Sequence, residues 1–304
     1  MFFRNITLFR FPASVRARLD DLDLALAEHP LRPLGPLEMV TRGFVSPFGR
    51  ESEVFAHGLA TYRLFTLGME DKLLPSATVQ QALGERIAKQ SAGRERPVSG
   101  RERKRLKDEV LAELLPRALA RPSRIAGYLD LDQGWLLVDS ASRKAAETLV
   151  SELRNALGSF PAMHAEAEES PRALMTEWLI DSGLPNGFAL GDECELKDPV
   201  DRGAVVRCRR QELASDEVRE HLKSGKQVTQ LALIWNERMR FVLDENLVLR
   251  KFKLLDVTTE AIEHDRQDSA AAELDARFAL FSHELKPLLE ELERIFVVPR
   301  PQGG

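Results

Sequence analysis

The sequence predicts an α+β fold in which mixed-sheet subdomains are joined by long helices. Three observations carry the prediction. Strand-like and helix-like stretches cluster unevenly instead of alternating, no segment repeats at a fixed period, and long amphipathic stretches recur at 13–28, 101–119, 141–157 and 270–296.

Residues 2–11, rich in Phe, Ile and Leu, read as a strand. Val15, Leu19, Leu22 and Leu26 recur at helical spacing and predict a helix over 13–28. Pro30, Pro33, Gly35 and Pro36 enforce a loop, and short strands are expected at Gly43–Phe48 and Thr61–Leu67. Ser76 is a suitable N-cap for a helix with Val79, Leu83 and Ile87 on one face. A polar connector over 91–101 leads to a second helix, 101–119, carrying Leu106, Val110, Leu111, Leu114 and Leu115, which Pro116 should kink or end. Residues 125–140 read as a hairpin turning at Asp132–Gly134. A helix over 141–157 follows, with Gly158 as its C-terminal cap, and then a strand within Phe160–Ala165. The remaining chain reads as a helix at 171–181, strands at 204–209, 226–235, 238–244 and 247–254, a helix at 214–224, and a long helix at 270–296 with a loose tail. The expected domains are an N-terminal α+β unit (1–75), a basic helical region (76–123), a hairpin–helix–strand unit packing with the N-terminal one (124–168), and a C-terminal α+β unit (169–304).

At 304 residues with 43% hydrophobic and 30% charged residues, the chain can bury a sizeable core, and a wholly disordered chain is excluded. Two cysteines, Cys194 and Cys208, make neither a disulfide framework nor a zinc ribbon. The apolar N-terminus is broken by Arg4, Asn5 and Arg10, so it does not read as a secretion signal. No run approaches a membrane-spanning length. A cytoplasmic protein is expected.

Charge is distributed unevenly. The net charge is −5, which excludes a generally basic coat protein. Between Arg86 and Arg124, however, twelve cations face five carboxylates, a surplus of +7, leaving −12 on the remainder. Such a segment suits a phosphate backbone, although the run Arg101–Lys107 also fits a solvated helix face. A second cluster comprises Arg202, Arg207, Arg209 and Arg210, with Lys223 and Lys226 downstream. On a strand over 204–209, Arg207 and Arg209 share a face, and Arg210 falls on the other face or in the following turn.

Catalytic signatures are missing. There is no phosphate-binding loop, since Ser224-Gly225-Lys226 lacks the flanking residues, and no HExxH or GxSxG pattern. Six histidines are scattered. Asp192, Glu193 and Glu195 beside Cys194 read as an acidic loop in preference to a metal site. No recognition-helix or zinc-finger pattern is present, which argues against base-specific readout.

Nine stretches come in a familiar order: FFRNITLFRF (2–11), EDKLLP (70–75), LKDEVLAELLPRA (106–118), VDSASRKAAETL (138–149), ALGSFPA (156–162), DECELKDP (192–199), VVRCRRQEL (205–213), GKQVTQLAL (225–233) and LDARFAL (274–280). Together they closely resemble the bacterial recombination-associated RdgC family, from the first residues to about residue 296. The resemblance implies a nucleoid-associated, non-enzymatic protein in the cytoplasm. It implies an elongated, curved subunit that forms a ring-shaped homodimer around DNA, binds double- and single-stranded DNA with little sequence preference, and restrains RecA-dependent recombination. No cofactor, metal or membrane partner is implied. Arg117 of the LLPRA motif is placed near the contact that closes the ring. Leu119 stands where relatives often carry an aromatic residue, and can still fill an apolar pocket. Arg209, Arg210 and Gln211 resemble a basic-basic-Gln segment tied to that contact and to DNA. The expected DNA-binding set is therefore Arg101, Lys104, Arg105, Arg117, Arg207, Arg209, Arg210, Gln211 and Lys226, with Arg117, Leu119 and Gln211 at the dimer closure. The competing readings are a Mg²⁺-dependent DNA-processing enzyme using clustered carboxylates and a protein-binding scaffold with an acidic surface.

Overall fold

The computed structural model describes residues 3–49, 52–92, 97–181, 183–201, 203–255 and 270–301. The chain forms two compact units: residues 1–28, 46–66 and 125–304 make the first, and 29–45 and 67–124 the second.

In the first unit the central strand is β1 (Ile6–Arg10), buried at every position. It pairs with β6 (Trp135–Asp139) from Ile6↔Asp139 to Arg10↔Trp135. Beyond β6 follow β5 (Ala120–Asp130), β4 (Tyr62–Lys72) and β3 (Ala56–Leu59). On the other edge of β1 the order is β12 (Leu249–Leu254), β11 (Met239–Asp244), β10 (Gln227–Trp235), β8 (Phe188–Lys197) and β9 (Val205–Arg209), while the short β7 (Met163–His164) pairs with Phe9 and Arg10. Every strand pair with an assigned register is antiparallel. The expectation of mixed sheets is corrected accordingly: short connections such as 236–238 and 245–248 join antiparallel neighbours, whereas parallel ones need long crossovers.

Several elements differ from the sequence reading. The helix expected over 13–28 is split into a 3-10 helix, Ala13–Leu19, and α1, Leu22–Ala27. The break falls at Asp20–Asp21, residues that favour turns over helix interiors. Next to it, Asp23 accepts the backbone N–H groups of Phe55 (2.7 Å) and Ala56 (2.8 Å), tying α1 to the start of β3. The acidic loop expected at 192–195 is part of β8. Its residues alternate, with Cys194 and Leu196 buried and Glu193 and Glu195 facing Arg209 and Arg207.

Around β1 both faces of the sheet are covered, since every position of that strand is buried, and the main cluster holds Ile6, Leu8, Trp135 and Leu137. Helices α4 (Arg143–Ala156), α5 (Pro171–Asp181), α6 (Asp216–Lys223) and α7 (Ala270–Phe296) are the unit's longer helices. From α7, Phe278, Phe281, Leu285, Leu288 and Leu292 are buried, each contributing about 1.5–3 kcal/mol. Phe278 meets Tyr128 edge-on at 5.5 Å, a favoured aromatic geometry. Arg10 is 2% exposed. Its guanidinium lies 3.9 Å from the Trp135 ring centroid, donates to the Gln133 carbonyl at 2.8 Å, and pairs with Glu293 at 3.1 Å. Burial lowers its pKa to about 10.

The second unit contains β2 (Val40–Val45), the far halves of β4 and β5, and helices α2 (Ser76–Ser91) and α3 (Gly100–Leu114). Val79 and Leu83 of α2 and Leu106 and Val110 of α3 are buried where the two helices pack. The α-helix stops before Pro116, and a 3-10 turn, Leu115–Arg117, leads into β5. Residues 120–124 are strand although they include Pro122. Pairing of β5 with β6 begins only at Gly127, so this stretch lacks that neighbour and a missing N–H is tolerated. Gly43 is required by close approach: a Cβ there would lie 2.3 Å from the Pro30 carbonyl oxygen, on a segment held by Phe44 N–H to His29 O (2.8 Å) and Leu31 N–H to Phe44 O (2.9 Å). In the preceding loop, hydrogen bonds from Arg32 and from the Gly35 N–H hold the Glu38 carboxyl at a pKa of about 2.

Candidate nucleic-acid interface

In the second unit the basic residues are organised by α3. Ser99 caps the helix in a reciprocal box: its hydroxyl accepts the Glu102 N–H (3.3 Å) while Glu102 accepts the Ser99 N–H (2.9 Å). Arg101, Lys104 and Arg105, at i, i+3 and i+4, share a stripe opposite the buried Leu106 and Val110. Arg105 is tied to Glu109 (3.1 Å), Arg86 to Glu113, and Arg121 to Asp71 (2.9 Å). The side chains of Arg101, Arg103, Lys104, Lys107 and Arg117 are exposed and make no ion pair or hydrogen bond among the described residues. Leu119 follows, 75% exposed. Its carbonyl accepts the Leu73 N–H (2.8 Å), and the neighbouring Lys72 N–H reaches Met39 O (2.9 Å). These bonds place the backbone segments that carry the exposed Met39, Leu73 and Leu119 next to one another.

In the first unit the edge strand β9 carries Arg207 and Arg209 outward, with Cys208 buried between them. Arg207 is held by Glu195 (2.8 Å). Glu195 is 7% exposed and also takes Lys197 (3.0 Å) and the Thr229 hydroxyl (3.0 Å). Burial pushes its carboxyl up, but hydrogen bonds from Arg207, Lys197 and Thr229 outweigh this and leave it lowered. Arg209 is unpaired among the described residues. Arg210 turns out of the strand at φ 55°, and the Gln211 N–H reaches Asp192 O at 3.4 Å. The structure thus brings Arg209, Arg210 and Gln211 together at one end of the β8–β9 hairpin. Lys226 lies at the other: it precedes Gln227, which faces Lys197, and Lys197 faces Val205. Four residues of strand separate Val205 from Arg209, about 13 Å, so Lys226 does not join the Arg210 group. Its ammonium donates to the Ser224 hydroxyl at 3.2 Å.

Arg240, Arg250, Lys251 and Lys253 escaped the sequence reading. Alternation along 238–244 and 247–254 could have placed Arg240 and Lys253 on the outward face, whereas Arg250 has the parity of the buried Phe252 and Leu254. Lys251, at φ 51°, sits at an irregularity that alternation does not reveal.

Among the described residues no group of three or more His, Cys, Asp or Glu side chains is arranged to hold a metal, and no helix is long and apolar enough to cross a membrane. By fold and charge, the chain is an antiparallel α+β protein with cations gathered on a helix pair and on one sheet edge. The family model described as "Putative exonuclease, RdgC" matches residues 1–298. The recombination-associated protein RdgC of Xanthomonas axonopodis pv. citri is 50% identical over 294 residues, covering 96% of this chain and 97% of the relative. That of Stenotrophomonas maltophilia is 47% identical over 297 residues, covering 97% and 98%. The chain belongs to the RdgC family of recombination-associated proteins.

Proposed function

We propose that the chain binds double- and single-stranded DNA through phosphates, without reading bases, and acts in the nucleoid as a homodimer that closes a ring around DNA and limits the access of RecA. The observation that carries the DNA reading is the set of exposed, unpaired cations on and after α3, Arg101, Arg103, Lys104, Lys107 and Arg117, within a chain of net charge −5. Phosphate contacts of this kind bind every sequence alike. An affinity titration against a duplex of unrelated sequence checks it: log K should fall steeply and linearly with log salt, by about 0.9 per phosphate neutralised. A flat plot overturns the reading.

The dimer reading rests on the exposed Met39, Leu73 and Leu119. A second copy meeting the same residues across a two-fold axis covers them with its own. Leu119→Ser is expected to speed subunit exchange between differently labelled dimers, and an unchanged exchange rate removes Leu119 from the contact. The description of the family model keeps a nuclease in view. Degradation of labelled DNA in Mg²⁺ that is lost on alanine substitution of a carboxylate would replace binding by catalysis.

A further inference from the structure

The strongest unexplained feature is the face of strands β8–β12 that points away from the core. The buried side chains of α5, α6 and α7 join Cys194, Leu196, Leu231, Leu233, Phe241 and Leu243 in a single cluster on the opposite face. The alternate residues carry charge. Arg207 is paired with Glu195, Lys251 with Glu193 (2.6 Å), Arg250 with Asp244 (2.8 Å) and Arg240 with Asp192. Lys197 shares Glu195, and Arg209 and Lys253 have no partner among the described residues. Seven cations therefore meet four carboxylates on one face of an acidic protein.

Two details suit an anionic partner. Arg240 stands directly opposite Lys253, a like-charged cross-strand pair that is destabilising when nothing lies between the two. The Lys251–Glu193 pair spans from β12 to β8, across β11 and β10, beside a hollow of about 230 Å³ whose lining includes Arg207, Arg209, Arg250 and Lys251. Exposed ion pairs contribute little, typically 0–1 kcal/mol. The carboxylates with well-exposed partners, Asp192 with Arg240 and Glu193 with the 63% exposed Lys251, can thus give up their cations to a phosphate, whose binding also releases counterions, whereas the buried Glu195 and Asp244 keep theirs.

We propose that this face is a second phosphate-contacting surface for DNA, continuous with Arg209 and Arg210, and that Glu193 is a latch holding Lys251 in reserve. The inference rests on the DNA-binding reading above and adds to it. DNA displaces Glu193 from Lys251 and takes the ammonium for one of its phosphates. Glu193 therefore weakens binding at low salt and confines the Lys251 contact to a strand that reaches the hollow.

The test uses the full chain and a duplex of unrelated sequence, followed by fluorescence anisotropy from low to moderate salt. Glu193→Gln should tighten binding up to about fivefold at 0.1 M salt, the cost of breaking the ion pair, and leave the salt slope nearly unchanged, because the wild-type complex already makes the Lys251 contact. Lys251→Gln should weaken binding by a similar factor and flatten the slope by about 0.9. Asp216→Asn, at a carboxylate 97% exposed on α6, removes one negative charge without freeing a cation of the face and should change the affinity little. Melting temperatures report that each variant is folded. If Glu193→Gln and Lys251→Gln both match a wild type that itself binds in a salt-dependent way, the latch is wrong and the DNA reading stands. If Asp216→Asn tightens binding as much as Glu193→Gln, the effect is net charge and the latch is again wrong. If the wild type shows no salt-dependent binding, the parent reading fails first.

Discussion

Glu293→Ala is expected to lower the unfolding free energy by about 3 kcal/mol, the lower end of the cost of stranding a buried charge. Arg10 sits in the central strand with its side chain 2% exposed, and Glu293 is its single carboxylate partner among the described residues. Without it, only the Gln133 carbonyl and the Trp135 ring remain. The Arg10 Nε has no partner among the described residues even in the intact protein. The substitution is asymmetric. Glu293 is 20% exposed and also pairs with Arg300 at 3.0 Å, so Arg10→Met leaves a carboxylate that is still hydrated and paired. Arg10→Met should therefore cost clearly less than Glu293→Ala in urea unfolding, although it removes the larger side chain. Equal costs would mean that packing, not the stranded charge, governs the site. The pH dependence follows from the same burial. The folded-state pKa of Arg10, about 10, lies below the ordinary arginine value. The unfolded chain thus holds the proton more tightly, and this unfavourable contribution is constant at neutral pH and relieved only as pH rises above about 10.

Periodicity made much of this architecture legible. The α4 and α6 segments carry clear helical periodicity, the turn at Asp132–Gly134 separates two apolar strands, and Gly158, at φ 69°, ends α4 as a left-handed cap. Strand β8 was illegible because FALGDECELK places carboxylates on its outward face, where their partners, Arg207 for Glu195, Lys251 for Glu193 and Arg240 for Asp192, lie more than ten residues away. Polarity there reports an ion-pair ladder and not a loop. The start of β5 was hidden by Pro122, which is acceptable only because of which strands pair where. The same limit applies to the site. Arg101, Lys104 and Arg105 were visible because neighbours along a helix are neighbours in space. The outward row of Arg240, Arg250, Lys251 and Lys253 depends on the register of β11 with β12 and on one irregular residue.

Arg101→Glu/Lys104→Glu should weaken duplex binding at least 60-fold at 0.1 M salt and flatten the salt slope by about 1.8, the loss of two phosphate contacts. These two are chosen because Arg105 is already engaged by Glu109. Their position makes the result informative about binding alone. Arg101 and Lys104 lie in the first turns of α3, behind the Ser99 cap, where the helix dipole disfavours cations. Acidic replacements suit that end of a helix, so the double variant should fold at least as well as the wild type, with an unchanged or slightly raised melting temperature. A stable helix that has lost its affinity separates charge from structure. The cations weaken their own helix end, a cost that an anion meeting them there would offset. Should the folded double variant keep its affinity and salt slope, the α3 stripe is a solvated face, and the phosphate contacts lie on β9 and the strands beside it.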